Sequence, residues 1–458
     1  MPQIDLLKDL VFKLAHEKSW HEVSTVMIGQ HPADLAEMIS QADSDIREHL
    51  FALIEENLKP NVLAELEGSA EEEVLQALTN SEISKIVEGM SPDDAADVIA
   101  DLSDERSEQV LDLMEEQGSE DVRALLKYDE DTAGGIMTTD IVSLSEHMTV
   151  TECFDHIAEA EHDEPFYYAY TVDPEKKLTG FIGIWELLKI KDRNITLHEI
   201  THRDFISAKT DMDQEDVAKL MTKYDLTALP ITNEQEKLVG RITADDVMDV
   251  IEEEASEDIL RLAGSDDAEL ISSSPLKACK IRLPWLFITL VTSSITILIM
   301  NRFTAMPLKE ILLLVNFVPI VMAMGGNTGI QSSTLVVRGL ALGTIEKNRV
   351  FKVLKREITT GLIMGLFCGV VTGCAAHYYF SVTVQSPTSF SPIYLAFTVG
   401  IALFSAMTFA ALYGAFVPIF LDRLNIDPAV ASGPFVTSST DVSALGIYYG
   451  IIFILLAL

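Results

Sequence analysis

The chain has 458 residues, 48% of them hydrophobic, with a mean hydropathy of +0.23 and a formal net charge of -38. Its length argues for several domains, and 33 Lys and Arg against 71 Asp and Glu exclude a nucleic-acid binder, because phosphate neutralisation takes basic surface. Residues 1–270 carry 65 acids and 21 bases, a net of -44, whereas residues 271–458 carry 6 acids and 12 bases, so an acidic soluble portion meets an apolar membrane portion near Ser272-Ser273-Ser274-Pro275.

The start of the chain places Asp5, Lys8 and Asp9 in an amphipathic pattern and lacks the cationic and apolar regions of a signal peptide, so the soluble portion is expected in the cytosol. Cys153, Cys279, Cys368 and Cys374 have no C-x-x-C spacing, which suits a reducing compartment and suggests neither a disulfide framework nor a zinc ribbon. Residues 5 to about 130 repeat apolar positions at helical spacing, as in Leu6, Leu7, Leu10, Val11 and Leu14. The stretch His31-Pro32-Ala33-Asp34-Leu35-Ala36-Glu37-Met38-Ile39 returns as Ser91-Pro92-Asp93-Asp94-Ala95-Ala96-Asp97-Val98-Ile99. Both open on Pro with an acid in the first turn, a helix-start signature. Repeated short helices of this kind predict an all-α superhelical N domain over 1–131.

A second repeat follows. Met148–Leu188 and Met212–Met248 each read as helix, strand, polar turn, Leu-x-Gly, strand and short helix, with Lys177-Leu178-Thr179-Gly180 matching Lys237-Leu238-Val239-Gly240. The segment resembles a tandem pair of cystathionine-β-synthase-type (CBS) domains over 132–249, divided at about 138–200 and 201–249. Gly240-Arg241-Ile242-Thr243-Ala244-Asp245-Asp246 is similar to the stretch that grips an adenosine ribose in many such modules. That makes Thr243 and Asp246 candidates for ATP or another adenine nucleotide, while Gly183 and Glu186 stand at the matching places of the first repeat. His198-Glu199-Ile200-Thr201-His202 fits the H-E-x-x-H pattern, but that chemistry needs both His on one helix face, and here the stretch runs straight into a strand. Residues 250–274 continue as an acidic connecting helix carrying Glu252, Glu253, Glu254, Glu257 and Asp258. Oxygen-only clusters of this density suit hard divalent cations.

Five runs long enough to cross a bilayer follow, at about 283–301, 311–342, 357–380, 392–421 and 428–457. The basic residues gather before the first run, between the second and third, and at Arg423 between the fourth and fifth. By the positive-inside bias the N-terminus is cytosolic and Leu458 lies outside. The reading is thus a five-span membrane domain over 275–458. Asp441 is read as the one acid deep in a span, where a carboxylate is tolerated only against a bundle interior or a wet pathway. Gly433-Pro434 is expected to loosen the helix before it, and Gly325-Gly326-Asn327-Thr328-Gly329 is expected to depart from helix.

Together with Met90–Asp97, Asp129–Met137, Tyr224-Asp225-Leu226, Arg282-Leu283-Pro284-Trp285 and Gly433-Pro434-Phe435 leading to Asp441, these stretches resemble the MgtE family of magnesium channels. The resemblance implies a non-enzymatic homodimer in the cell inner membrane that moves Mg2+ into the cytosol and is held shut by cytosolic Mg2+. A cation-coupled divalent-metal carrier of the same fold remains the alternative. By matching position it implies an ion pathway at Asp441, Thr437, Gly433, Asn327 and Gly326, and an ion at Asp427 near the cytosolic mouth. It implies sensor ligands at Asp93, Asp94, Asp213, Glu215, Asp225, Asp246, Asp249, Glu254, Glu257 and Asp258. Ile330, Ala444 and Trp185-Glu186 depart from the family pattern.

Overall fold

The computed structural model describes residues 2–159, 165–266, 275–305, 309–345, 350–382, 389–424, 426–429 and 433–457. The expected junction at Ser272–Ser274 and the terminal Leu458 lie outside the described residues. The chain divides into two compact units, Met1–Glu254 and Ala255–Leu458.

The first unit opens with ten helices among the described residues, from α1 (Pro2–His16) to α10 (Glu116–Leu125). The internal echo is structural. In α3 (Pro32–Ser40) the buried residues are Leu35, Ala36, Met38 and Ile39, and in α8 (Pro92–Ala100) they are Ala95, Ala96, Val98 and Ile99, the same register sixty residues later. Proline opens both helices, where its missing N–H costs nothing. The echo breaks at one place: Asp93 is buried where the first copy has Ala33.

Two three-stranded sheets follow with identical topology. The first has β1 (Ser143–Ser145) parallel to β2 (Tyr168–Val172) and β2 antiparallel to β3 (Leu178–Gly183). The second repeats this with β4 (Ala208–Lys209), β5 (Ala228–Thr232) and β6 (Leu238–Thr243). Both carry the same register irregularity, at Thr171/Val172 and Ile231/Thr232. The repeats join through their hairpin turns, Leu178 N–H donating to the Glu236 carbonyl and Leu238 N–H to that of Lys176, both at 3.2 Å. α11 (Val150–Glu159), α12 (Ile184–Leu187), α13 (Leu197–Ile200) and α14 (Gln214–Tyr224) complete the module.

The N-terminal helices pack on the second repeat. One apolar cluster runs from Val11 through Met137, Val217 and Ile242 to Val247 and Val250, while the first repeat keeps its own around Leu144, Val150 and Ile182. The connecting strand is stitched to the second repeat, with Ala133 N–H on the Met212 carbonyl at 2.7 Å and Thr138 N–H on that of Arg241 at 2.8 Å. The acidic helix α15 (Ala244–Ala263) continues from β6.

Among the described residues, the second unit holds five helices long and apolar enough to cross a membrane. They are α16 (Pro275–Thr304), then α17 (Lys309–Leu314) with a 3-10 turn leading to α18 (Val318–Ala341), then α19 (Val350–Val382), α20 (Pro392–Arg423) and α21 (Pro434–Ala457). Gly361, Gly365, Gly369 and Gly373 recur every fourth residue of α19 and meet Thr408, Phe404, Gly400 and Ala396 of α20; a methyl on Gly369 would sit 2.6 Å from the Gly400 carbonyl oxygen. Small residues of this spacing let helix backbones meet in a bilayer.

Two expectations are corrected here. Gly325–Gly329 stays within the continuous helix α18, because these glycines serve contact: methyls on Gly325 and Gly329 would meet Ala444 and Thr440 at 2.8 and 2.7 Å. The tight fit against α21 supplies what helix propensity lacks. Gly433-Pro434 does not loosen a helix but begins one, Pro434 being the first residue of α21. Besides Asp441, two acids nearer the helix ends, Glu310 at the first residue of its span and Glu357 in α19, are also buried.

Candidate functional site

In the first unit an acidic crevice forms where α8, the second CBS repeat and the start of α15 come together. Asp93 is its buried member, 7% exposed, with Oδ1 lacking a hydrogen-bond partner among the described residues. Burial pushes its carboxyl up to about 6, the Asp94 charge adds to this, and hydrogen bonding from Ser91 and Thr138 pulls it back. Asp246 is likewise raised to about 6, first by burial and then by Asp93, while Thr243 donates to it from its backbone N–H at 2.9 Å and its hydroxyl at 2.7 Å. Asp94, Asp97, Asp249 and Glu253 form the outer part of the crevice. Their pKa values move in the same direction through partial desolvation and then through the charges of Asp93, Asp246, Glu65 and Glu67. An unpaired buried carboxylate oxygen among like charges is costly unless a cation reaches it, and an all-oxygen donor set fits a hard divalent ion.

A second group lies at the N-terminus of α14. Asp213 caps that helix, accepting from Glu215 N–H at 2.9 Å. Glu254 accepts from Gln214 Nε2 at 2.8 Å, and its pKa is raised by desolvation and then by Glu215, Asp213 and Asp131. Glu215 also pairs with Lys219 at 2.8 Å. Asp225 stands apart as the left-handed C-cap of the same helix, with φ +52°, about 18 Å from Asp213 by helix rise. Among the described residues, no group of three or more His, Cys, Asp or Glu side chains stands close enough together to hold a metal ion as arranged here.

In the second unit, Asp441 and Thr437 lie one turn apart on α21 and face Gly326 of α18. A methyl on Gly326 would be 2.9 Å from Asp441 Oδ1 and 3.3 Å from Thr437 Cγ2. Thr437 donates to the Gly433 carbonyl at 3.1 Å. Asn327 is on the neighbouring exposed position of α18. Thus Asp441, Thr437 and Gly326 meet, and Gly433 joins through its carbonyl. In the same unit, Arg261 forms ion pairs with Asp427 and with Glu257, and Asp427 Oδ1 accepts from Ala429 N–H at 2.8 Å.

Sequence reasoning missed several of these residues. Glu71 is buried and its carboxyl is pushed up to about 9 by burial and by Asp101. Glu357 is 5% exposed and accepts from the Ser332 hydroxyl at 2.9 Å; its signal was an acid directly after Lys355 and Arg356 that helical spacing turns inward. The H-E-x-x-H stretch forms no site: α13 is four residues long, His198 lies on Glu146, and His202 lies on Glu186.

Three family descriptions match the chain: a divalent cation transporter over 318–451, an MgtE intracellular N domain over 30–131, and CBS domains over 133–193 and 197–253. The magnesium transporter MgtE of Thermus thermophilus is 36% identical over 336 residues, 73% of this chain and 72% of that protein. The protein of the same description from Enterococcus faecalis is 35% identical over 334 residues, 72% of this chain and 70% of that one. Among solved structures, the soluble part of a magnesium transporter is 27% identical with a TM-score of 0.47, covering 55% of this chain and 99% of that one. The cytosolic domain of the Mg2+ channel MgtE in complex with ATP is 31% identical with a TM-score of 0.49, covering 53% and 99%.

Proposed function

The chain belongs to the MgtE family, a family of transporters and not of enzymes, and on that premise we propose that it conducts Mg2+ into the cytosol and is closed by Mg2+ bound to its acidic cytosolic unit. The observation that carries the pathway is Asp441 set against Gly326 between two span-length helices. Mg2+ gives up its water reluctantly, so a carboxylate, a threonine hydroxyl and a glycine that leaves room beside them suit a hydrated ion better than a tight protein cage. In a two-fold homodimer two copies of Asp441 would flank one axis and double the charge. The membrane helix α16 buries none of its side chains within the single chain, which leaves its surface for lipid or a second copy.

For the sensor, Asp93, Asp94, Asp246 and Asp249 compose one group of ligands, and Asp213, Glu215 and Glu254 a second. A bound divalent ion would supply the positive charge that lets these carboxylates stay ionised while packed. Each site that binds only the compact arrangement stabilises it by RT ln(1 + [L]/Kd), so several weak sites close the gate together. Thr243 and Asp246 are also the adenine-nucleotide candidates. Because Asp93 and Asp245 add negative charge around Asp246, a polyphosphate is repelled there, and a nucleotide at this place would compete with the cation.

The test is Mg2+ uptake into proteoliposomes with and without a Na+ or H+ gradient. Uptake down the Mg2+ gradient alone, abolished by Asp441→Asn, supports a channel. Uptake that needs the second gradient replaces that reading with the coupled carrier.

A further inference from the structure

We infer that Arg261 is a tethered cation built into the cytosolic ion site, bridging Glu257 and Asp427 so that a divalent ion must displace its guanidinium to reach them. The inference rests on the gating reading above. Between Ala244 and Asp266 the sequence has nine acids and a single Lys or Arg, which is Arg261. The fold spends that base on one place: Nη1 donates to Asp427 Oδ2, and Nη2 pairs with Glu257 Oε1. These are two of the carboxylates that the family resemblance assigns to a metal ion. A guanidinium presents its donors as a planar fork that suits two carboxylates at once, and it is always charged, so only competition removes it.

The backbone around this bridge is held by shape. The Leu262 carbonyl lies against the Cα of Gly433, leaving no room for a side chain there. Gly264, at φ +76°, occupies a backbone region that side chains rarely adopt, and a methyl on it would meet Pro434 Cγ at 2.9 Å and Trp285 Cγ at 3.5 Å. The end of α15 therefore docks on Asp427 and on Gly433-Pro434 through glycine fit as well as charge. Arg261 and Asp427 side chains are both 34% exposed, and ion pairs so open to water add little to docking. Their main effect is on what else binds: a doubly charged ion at these oxygens meets the guanidinium repulsion, weakened by the same water but doubled by its own charge, until the guanidinium is displaced. Arg261 thus raises the internal Mg2+ concentration at which the gate closes.

The experiment uses the full-length protein in planar bilayers, with internal free Mg2+ titrated for wild type, R261Q and R261K. Half-closing Mg2+ should fall about tenfold in R261Q, since a neighbouring positive charge is removed from a divalent site. In R261K the charge is kept, so the curve should stay near wild type. An unchanged or higher half-closing concentration in R261Q would overturn the inference, because Arg261 would then serve docking alone. A wild type that never closes on Mg2+ refutes the gating reading instead. In that case protection from chymotrypsin by Mg2+ in detergent still decides: protection at lower Mg2+ in R261Q supports the tethered cation, and equal curves reject it.

Discussion

Asp93→Asn should make the N-terminal portion, residues 1–266, more stable without Mg2+ and less responsive to it. Asp93 is buried with one oxygen unpartnered, and its carboxyl is raised from 3.8 to about 6. A shift of about 2 units corresponds to roughly 3 kcal/mol of penalty on the ionised form. Because the folded pKa lies above the unfolded one, the penalty is absent below the unfolded value and complete above about 6. Part of it is repulsion from Asp94, and the hydrogen bonds from Ser91 and Thr138 are weaker to an amide, so the expected gain at pH 7.5 is about 1 to 3 kcal/mol. For a fragment of this size that is a rise in Tm of roughly 3 to 9 °C. The assay is thermal unfolding in EDTA and over a Mg2+ titration, at pH 7.5 and at pH 4. The gain should fall to about 0.5 kcal/mol at pH 4, where the folded wild-type carboxyl is protonated and the unfolded one only partly ionised, and the Mg2+-induced rise should shrink in the variant. An Asn variant no more stable than wild type at pH 7.5 in EDTA, or equally stabilised at both pH values, would refute the argument.

Asp441→Asn should abolish Mg2+ flux while chemical cross-linking still yields the same oligomer as wild type; normal flux in a well-assembled variant removes Asp441 from the pathway. Gly326→Val should also block flux, since its Cβ alone would stand 2.9 Å from Asp441 Oδ1, and flux at the wild-type level would show that α18 does not line the path there. Ser332→Ala should cost about 1 to 2 kcal/mol in detergent unfolding by depriving buried Glu357 of its hydroxyl donor. Combined with Glu357→Gln its effect should be smaller than the sum of the two, and full additivity would deny the interaction.

The repeats were legible because each is written twice. The α3 and α8 stretches share their buried register, and the two CBS sheets share even their irregularity. Apolar length alone marked the five membrane helices. What escaped depended on partners distant in sequence. Gly325–Gly329 read as a break because helix propensity is local, whereas its glycines answer to Ala444, Thr440 and Asp441 on another helix. Asp427 read as a metal ligand, with nothing nearby to reveal Arg261, 166 residues away. Asp93 was visible as an acid but not as a buried one, although its place in the echo, where the first copy has Ala33, held the clue.

The glycine ladder between α19 and α20 bears on how such a pore can move. Four contacts at backbone distance, each closed by a carbonyl, an alanine methyl or an aromatic ring, leave no slack for one helix to slide past the other by less than a full residue step. The pair is a stiff strut. Opening then falls to the looser member of the unit, with α16, which buries none of its side chains, tilting or turning against a fixed post, and a disulfide pinning α19 to α20 should leave conduction intact where one pinning α16 to α21 arrests it.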